Sequence, residues 1–262
     1  MMLRIRPEGL RNPVLGRPDD SPERVEGLFV GPDGFEGWDD GGGESRRESV
    51  ERPGVHGEFD LPVFLGSRVV TIDGHALAWS ASELGHLRSQ IMGLGATGDR
   101  FKLTVDHQAQ TLWAFSRRGA KPTFKDAGIR HGMLRARFMV QFVCADPRKY
   151  GETNTFTGGV AAVHYGNFPA TPEVIVTGVL PAGYTVLGPG GKRFVVTQAL
   201  TAGQSHRIDL RTGWLYRNGV LQVGAVSRAE LWVVPAGGSV VHTLAPVSGS
   251  GSLMVKVPDT FI

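Results

Sequence analysis

Histidine, aspartate and cysteine are among the side chains of this 262-residue chain that could bind a metal ion or carry out acid–base and nucleophilic chemistry. The eight histidines lie at least eleven residues apart, so no pair has the i, i+2 or i, i+4 spacing that directs two imidazoles at one ion. Asp73 with His75 and Asp106 with His107 are local pairs near turns, where solvated pairs are common. Cys144, the single cysteine, lies on the apolar face of a predicted strand, which indicates a buried small side chain. We therefore predict no metal centre and no thiol nucleophile.

Three glycine-rich segments have the composition of phosphate or nucleophile loops but not their context. Residues 93–98 read Gly-Leu-Gly-Ala-Thr-Gly, the dinucleotide pattern G-x-G-x-x-G, but they follow a predicted helix instead of opening one. Residues 188–192 (Gly-Pro-Gly-Gly-Lys) precede a strand, as a hairpin turn does. Residues 249–251 (Gly-Ser-Gly) lack the strand-to-helix context of a serine nucleophile. We therefore expect a protein that is not an enzyme and has no cofactor.

A basic run surrounds the predicted turn between residues 116 and 135. Its members are Arg117, Arg118, Lys121, Lys125, Arg130 and Arg135. A solvated hairpin tip is one interpretation, and a charged contact with Glu44, Glu48 and Glu51 of an adjacent copy is the other. The net charge of +3 is too small to argue for a nucleic-acid ligand.

Trp214 and Tyr216 form an aromatic pair in the second half of the chain. They lie two residues apart in a predicted strand and therefore share a face. Exposed rings in this arrangement could stack on a sugar, whereas one-sided packing against the core is the alternative. Both interpretations stay open at the level of sequence.

The strand predicted at residues 134–144 follows the basic run and contains its last member, Arg135. Its apolar face consists of Leu134, Ala136, Phe138, Val140, Phe142 and Cys144. Its second face is mixed and consists of Arg135, Arg137, Met139, Gln141 and Val143. Asp146-Pro147 ends the strand because proline cannot donate to a ladder. The alternation therefore predicts one face against a core and one mixed face away from it.

The rest of the chain is predicted to be mainly β. Its 37 glycines and 16 prolines indicate many turns, and an apolar fraction of 41% suffices for a core. Ser80 to Glu83 reads as a capping box before apolar residues at helical spacing, which predicts one helix. Asn218-Gly219 predicts a type I′ hairpin turn. Since no apolar run is long enough to span a bilayer, we expect a soluble protein made in a reducing cytoplasm, without membrane insertion.

Composition divides the chain into four predicted segments. Residues 1–55 are rich in glycine and charge and are predicted to be an extended or flexible N-terminal arm. Residues 56–151 contain the helix and the long strands, and residues 152–166 are a predicted linker. Residues 167–262 read as short strands separated by Gly and Pro turns, which indicates a compact antiparallel β-sandwich.

Short motifs in a characteristic order make residues 55–262 resemble the distal tail protein (a Dit-like minor tail protein) of long non-contractile-tailed phages, the siphophages. The first motifs are His56-Gly-Glu-Phe, Gly66-Ser-Arg-Val-Val-Thr-Ile-Asp-Gly74, Phe138-x-Val-x-Phe142 with Asp146-Pro147 and Tyr150-Gly151, and Gly166-Asn-Phe-Pro-Ala-Thr-Pro172. The later motifs are Ile208-Asp-Leu-Arg211, Asn218-Gly219 and Trp232-Val-Val-Pro-Ala-Gly237. Their order is more specific than any one of them.

The resemblance implies a tail-tube-like split β-barrel with one helix in residues 56–151, followed by a galectin-like β-sandwich. It also implies a structural protein of the virion tail tip, in a ring of usually about six copies (a homohexamer) that connects the tail tube to the tail-tip hub or baseplate. Its partners would be further copies of itself, the tail tube protein and hub proteins, with DNA only as cargo in the channel. The predicted interface or channel residues are Arg117, Arg118, Lys121, Arg130, Arg135, Arg137, Met139 and Gln141. The alternative is a carbohydrate-binding sandwich that contacts the host envelope through Trp214 and Tyr216.

Overall fold

The computed structural model describes residues 3–16 and 26–262, which fold into two compact units. The first unit comprises the described residues up to Lys149 together with Ile262, and the second unit is Tyr150–Phe261. Both units are mainly β, as the sequence predicts, and one α-helix occurs in the described ranges. No helix there is long and apolar enough to cross a membrane.

The first unit is built from ten described strands and the helix. In chain order these are β1 (Arg4–Pro7), β2 (Val14–Leu15), β3 (Gly27–Glu36), β4 (Ser45–Arg46), β5 (Phe64–Leu65), β6 (Arg68–Ala78), α1 (Ala81–Gly93), β7 (Phe101–His107), β8 (Gln110–Arg118), β9 (Thr123–Arg130) and β10 (Met133–Cys144). The strands pair in the order β8-β7-β1-β2-β3-β6-β10, and the end of β10 pairs again with β8, so the order closes on itself. Among the described strands β9 pairs with β10 alone and is an edge, and β4 and β5 form a separate hairpin.

Strand β10 has the two-faced pattern that its sequence predicts. Its buried side chains include Ala136, Phe138, Val140, Phe142 and Cys144. The intervening side chains are half-buried or exposed. Burial raises the pKa of the Cys144 thiol to about 11, so the thiolate is scarce at neutral pH. The interpretation of Cys144 as a buried small side chain is confirmed.

Gly74 of β6 lies opposite Phe138 of β10 and leaves room for its ring. A Cβ at this position would lie 2.2 Å from the Phe29 carbonyl oxygen and 2.8 Å from Phe138 Cζ. We therefore expect Gly74→Ala to lower the free energy of unfolding of the first unit by about 1–3 kcal/mol through overpacking. Chemical denaturation measures the change. Gly85→Ala is the matched control, because a Cβ there meets open space on the exposed side of α1. It should be neutral or stabilising. Equal losses of unfolding free energy in the two variants would show that overpacking at Gly74 is not the cause.

Helix α1 begins at the predicted capping box. Ser80 Oγ accepts a hydrogen bond from the Glu83 backbone N–H at 3.1 Å, and Leu87 and Ile91 are buried. Gly95, just beyond the helix, has a φ of +62°. The G-x-G-x-x-G segment therefore ends a helix, as predicted, and does not open one.

Four strands, β1 to β4, lie in the described part of residues 1–55, where the sequence predicts an extended or flexible arm. β1, β2 and β3 pair with one another and with β7 and β6. Ile5, Phe29 and Trp38 are buried. These short apolar segments are stabilised by pairing with strands from distant parts of the chain. Ile5, for example, lies opposite Val105. Residues 1–2 and 17–25 of the predicted arm lie outside the described residues.

The second unit is built from twelve described strands, most of them short. They are β11 (Lys149–Thr157), β12 (Ala161–Val163), β13 (Glu173–Val179), β14 (Tyr184–Leu187), β15 (Arg193–Val196), β16 (Ser205–Asp209), β17 (Trp214–Arg217), β18 (Val220–Leu221), β19 (Val226–Ala229), β20 (Ser239–Val241), β21 (Thr243–Pro246) and β22 (Ser250–Phe261). One sheet has the order β18-β17-β16-β13-β22-β11, the other has the order β19-β15-β14-β21, and β12 pairs with β20. A 3-10 turn, Pro189–Gly191, joins β14 to β15, so residues 188–192 form the predicted turn.

Side chains from both sheets meet in one core, as in a β-sandwich. The core includes Val174, Val176, Tyr184, Phe194, Ile208, Leu215, Trp232 and Val255. Residues 152–166 differ from the predicted linker, because β11 and β12 occupy most of this segment and β11 pairs with β22. Asn218 and Gly219 join β17 to β18 with φ of 47° and 84°, which confirms the predicted type I′ turn.

Candidate functional site

Residues 44–65 of the first unit form a two-stranded hairpin, named here the hairpin arm. β4 and β5 pair at its base, where Arg46 lies opposite Phe64, and a bridge joins Glu51 to Glu58 further along. Nearly all its side chains are exposed or half-buried. A single two-stranded hairpin is marginally stable in water. The arm would therefore gain stability from a surface that covers it.

Five apolar side chains of the hairpin arm are exposed. Val55 is 65% exposed and Phe64 is 62% exposed. The full set is Val50, Val55, Phe59, Val63 and Phe64. Single exposed apolar residues are ordinary on protein surfaces, but a concentration of them in one segment marks an interaction surface. The hairpin arm is thus the strongest candidate binding element of the first unit.

The charges of the hairpin arm are partly paired within it. Arg47 forms an ion pair with Glu58, and the Arg52 guanidinium carbon lies 5.5 Å from the centre of the Phe59 ring. The carboxylates predicted for an intersubunit contact, Glu44, Glu48 and Glu51, are exposed. Residues 44–65 contain five acidic and three basic residues, a net charge of −2.

Two buried cations hold the chain on both sides of the hairpin arm. Arg68, which begins β6, is fully buried, and Lys149 is 5% exposed. Arg68 Nη1 donates to the carbonyl oxygens of Gly37 and Trp38 at 2.8 and 2.7 Å. Arg68 Nε donates to the carbonyl oxygen of Pro147 at 2.9 Å, and Lys149 Nζ donates to that of Trp38 at 2.7 Å. These bonds connect the segment before the arm to the segments after it.

Two aspartates balance the buried cations. Asp40 Oδ1 lies 3.5 Å from Arg68 Nη1, and Asp39 Oδ1 lies 3.6 Å from Lys149 Nζ. Burial lowers the pKa of Arg68, and the two aspartates oppose this shift. Burial also lowers the pKa of Lys149, and the nearby Arg68 lowers it further. Because the cations are costly to bury, their carbonyl and carboxylate partners are essential to the fold around the arm.

Arg117 and Arg118 have local roles and are not part of a free hairpin tip. Arg117 Nη1 contacts the carbonyl oxygen of Gly98. Arg118 donates to the carbonyl oxygens of Met92 and Ala120 at 3.4 and 3.3 Å. Met92 lies in the last turn of α1, where a cation interacts favourably with the helix dipole. Both arginines therefore support the connection that follows α1.

The other predicted residues lie around β9 and β10. Lys121 and Arg130 are exposed at the two ends of β9. On one face of β10, the residues Arg135, Arg137, Met139 and Gln141 lie opposite Leu77, His75, Asp73 and Thr71 of β6, respectively. Burial lowers the pKa of His75, and Arg135 and Arg137 lower it further. Residues 123–144 contain four basic residues and one acidic residue, a net charge of +3.

A groove of about 320 Å³ lies between α1 and the β9–β10 hairpin and is named here the α1–β9 groove. Its apolar lining is Leu84, Phe124, Ile129 and Leu134. Ile129 is 69% exposed. Arg88, Arg135 and Asp126 also line it, so its lining combines apolar side chains with a net charge of +1. The groove is complementary to the hairpin arm in both character and charge.

Trp214 and Tyr216 lie on the exposed face of β17 in the second unit. Trp214 is 52% exposed, whereas Leu215 between them is 1% exposed and takes the core position. The Trp214 and Tyr216 ring centres are 6.5 Å apart. The core-packing interpretation is therefore wrong for Trp214, and its ring is accessible.

The hairpin arm, residues 44–65, was not predicted from the sequence as one element, although Glu44, Glu48 and Glu51 were offered as a contact with an adjacent copy. Residues 44–55 were expected in the N-terminal arm and residues 56–65 in the barrel region, although together they form one hairpin. A turn signal was present, because Pro53, Gly54 and Gly57 lie between Glu51 and Glu58, the two residues that the bridge joins. Within residues 3–16 and 26–262, no group of three or more His, Cys, Asp and Glu side chains is arranged to hold a metal ion.

Comparison with known proteins gives matches to solved structures alone. No protein-family model matches the chain, and no curated protein matches it. The Dit protein of phage SPP1, described as a paradigm of the hub adsorption apparatus in phages that infect Gram-positive bacteria, matches with a TM-score of 0.65 at 14% identity, over 88% of this chain and 95% of that one. The phage P2 baseplate in its activated conformation with calcium matches with a TM-score of 0.50 at 10% identity, over 97% of each chain. The resemblance to distal tail proteins is thereby confirmed at the level of the fold.

Proposed function

We propose that this chain is a structural protein of a phage tail tip, which assembles into a ring and connects the tail tube to the tail-tip hub. The observation that carries the proposal is the fold shared with the SPP1 Dit protein over nearly the full length of both chains. Its partners are further copies of itself, the tail tube protein and hub proteins, and its location is the virion tail tip. We assign it no catalytic role.

The hairpin arm supports self-association. Its exposed apolar side chains need cover, and the chain itself offers a surface of matching chemistry in the α1–β9 groove. The arm has a net charge of −2, and residues 123–144 beside the groove have a net charge of +3. Opposite charges on the two surfaces favour correct encounter and register. We therefore assign a second copy of this chain as the occupant of the groove.

A ring follows from the difference between the two surfaces. Arm and groove are distinct parts of one chain, so the contact is heterologous, and such contacts close into rings when the rotation between copies allows it. In this arrangement Arg135, which lines the groove, and Arg130 belong to the interface. Arg137, Met139 and Gln141 belong to the face that we propose as the channel lining, with DNA only as cargo.

Removing the apolar side chains of the hairpin arm should weaken self-association. The change is Val50→Ser, Phe59→Ser and Phe64→Ser in one chain, which removes three side chains that would be buried between copies. We expect the dissociation constant to rise at least about tenfold. Light scattering of the full chain over a concentration series measures it.

The matched control replaces three exposed valines of the second unit, Val160, Val223 and Val247, with serine; they are 50%, 91% and 67% exposed. This variant should associate like the unchanged chain. If the unchanged chain forms oligomers and the arm variant forms them equally well, the arm is not the contact. If the unchanged chain stays monomeric at every concentration, unassisted closure of the ring is contradicted.

A further inference from the structure

An exposed tryptophan on an ordered sheet marks a surface of the second unit that the ring does not explain. Trp214 is 52% exposed although it belongs to a paired strand. An indole side chain normally contributes its apolar area to a core or to an interface. Trp232, in the same unit, does so at 4% exposure. Trp214 therefore has its apolar surface available for a ligand.

The strand register places polar side chains beside the Trp214 ring. Trp214 lies opposite Asp209 of β16, Asp209 lies opposite Glu173 of β13, and Glu173 lies opposite Lys256 of β22. Residues directly opposite each other share a face of the sheet. Trp214 thus ends a row of hydrogen-bonding groups that crosses four strands.

The adjacent row of side chains contains Tyr216 and Arg207, which lie opposite each other, and its own contacts hold it in place. The guanidinium carbon of Arg207 lies 4.0 Å from the centre of the Tyr216 ring, and its Nη1 donates to Glu173 Oε2 at 3.0 Å. The Arg207 and Glu173 side chains are still 37% and 35% exposed. Their donors and acceptors are therefore fixed in position and remain within reach of a ligand, which lowers the entropic cost of binding.

Asp209 is ordered as well. Its Oδ1 accepts from the Arg211 backbone N–H at 2.8 Å, and its Oδ2 accepts from the Thr212 hydroxyl at 3.0 Å. Each carboxylate oxygen has a second lone pair available to a ligand hydroxyl. The carboxylate nearest to Trp214 in the row disfavours an anionic ligand next to the ring, because like charges repel.

The geometry points to a saccharide site on this face, with a neutral hexopyranose stacked on Trp214 and its hydroxyls bound by Asp209, Glu173 and Arg207. A pyranose has an apolar C–H face that fits an aromatic ring, and its rim of hydroxyls both donates and accepts hydrogen bonds. Ordered carboxylates accept from such hydroxyls, and a guanidinium donates to them. The inference concerns the second unit and stands apart from ring formation in the first.

Saturation-transfer NMR on the full chain tests the site, with the methyl glycosides of glucose, galactose and mannose as probes at millimolar concentration. We expect transfer to at least one probe, and Trp214→Ala should weaken its binding about tenfold. Trp214→Phe, which keeps a ring, should retain part of the affinity.

Trp79→Ala is the matched control, since Trp79 is 58% exposed and lies in the first unit. It should leave binding unchanged. Absence of transfer to all three glycosides would overturn the proposal, and so would equal losses in the Trp214→Ala and Trp79→Ala variants. Preferential transfer to glycerol phosphate over every glycoside would also overturn it, because the site is assigned to a neutral ring.

Discussion

Arg68→Met is expected to lower the free energy of unfolding of the first unit by about 3–5 kcal/mol. Methionine preserves much of the apolar bulk but has no donor, so the carbonyl oxygens of Gly37 and Pro147 lose their bonds to Arg68 inside the protein. The Trp38 carbonyl oxygen loses its bond to Arg68 and keeps the one from Lys149. The loss is a large fraction of the roughly 5–15 kcal/mol that stabilises a typical domain. Hydrogen exchange of amides in β6 and β10 measures it.

An exposed arginine provides the control for Arg68. Arg228 pairs with Glu230 at 2.7 Å, but its side chain is 55% exposed. Arg228→Met should cost only about 0–1 kcal/mol, because water and side-chain entropy offset exposed ion pairs. Amides of the second unit give an internal reference in the Arg68→Met protein. If Arg68→Met left exchange in β6 and β10 unchanged, the buried cations would not hold the base of the hairpin arm.

Acidification is expected to destabilise the second unit through two buried histidines. Burial lowers the pKa of His206 and of His242 to about 4, with Arg217 adding to the shift of His206. In the unfolded chain both would titrate near about 6.5. The unfolded state therefore binds protons first, and the stability contributed by the neutral rings is complete above about pH 6.5 and is lost as the pH falls towards about 4. The loss is about 3 kcal/mol for each ring.

The contacts of these rings explain why they are neutral. Trp232 Nε1 donates to His242 Nε2 at 3.0 Å, so protonation of that nitrogen removes the acceptor. His206 Nδ1 lies 3.0 Å from the buried Tyr184 hydroxyl. Urea unfolding at several pH values between about 7 and 4 should show a steeper loss of stability in the unchanged chain than in a His206→Gln, His242→Gln variant.

Two exposed histidines make the comparison specific. His56 and His86 lie in the first unit and are exposed. Replacing both with glutamine should leave the pH dependence of the second unit's unfolding free energy unchanged. If the unfolding free energy fell with pH equally steeply in the unchanged chain and in the His206→Gln, His242→Gln variant, these two rings would not govern acid unfolding.

Local features of the fold were predictable because their causes are local. The alternation of β10, the capping box at Ser80 and the type I′ turn at Asn218 each depend on residues close together in sequence. The strands of the N-terminal segment were not predictable in this way. Ile5 and Phe29 become core residues through pairing with Val105 and with β6, and neither partner is visible in a local window.

The candidate sites show the same limit. At β17 the alternation was clear, but alternation alone does not say which face is buried; Leu215 is buried because it lies opposite Ile208, itself a core residue. The basic run was visible as a cluster, yet its members separate in the structure. Arg117 and Arg118 bind carbonyl oxygens near α1, whereas Arg135 lines the α1–β9 groove. Exposure and tertiary contacts, which local sequence does not encode, decide these roles.

Electron cryo-microscopy of intact tails from the phage that we propose as the source of this chain tests the central proposal most directly. We expect density for a closed ring of about six copies where the tail tube meets the hub, with the hairpin arm of each copy against the α1–β9 groove of the next. Tails that lack the chain, or that hold it as separate copies without contact between neighbours, would contradict the account.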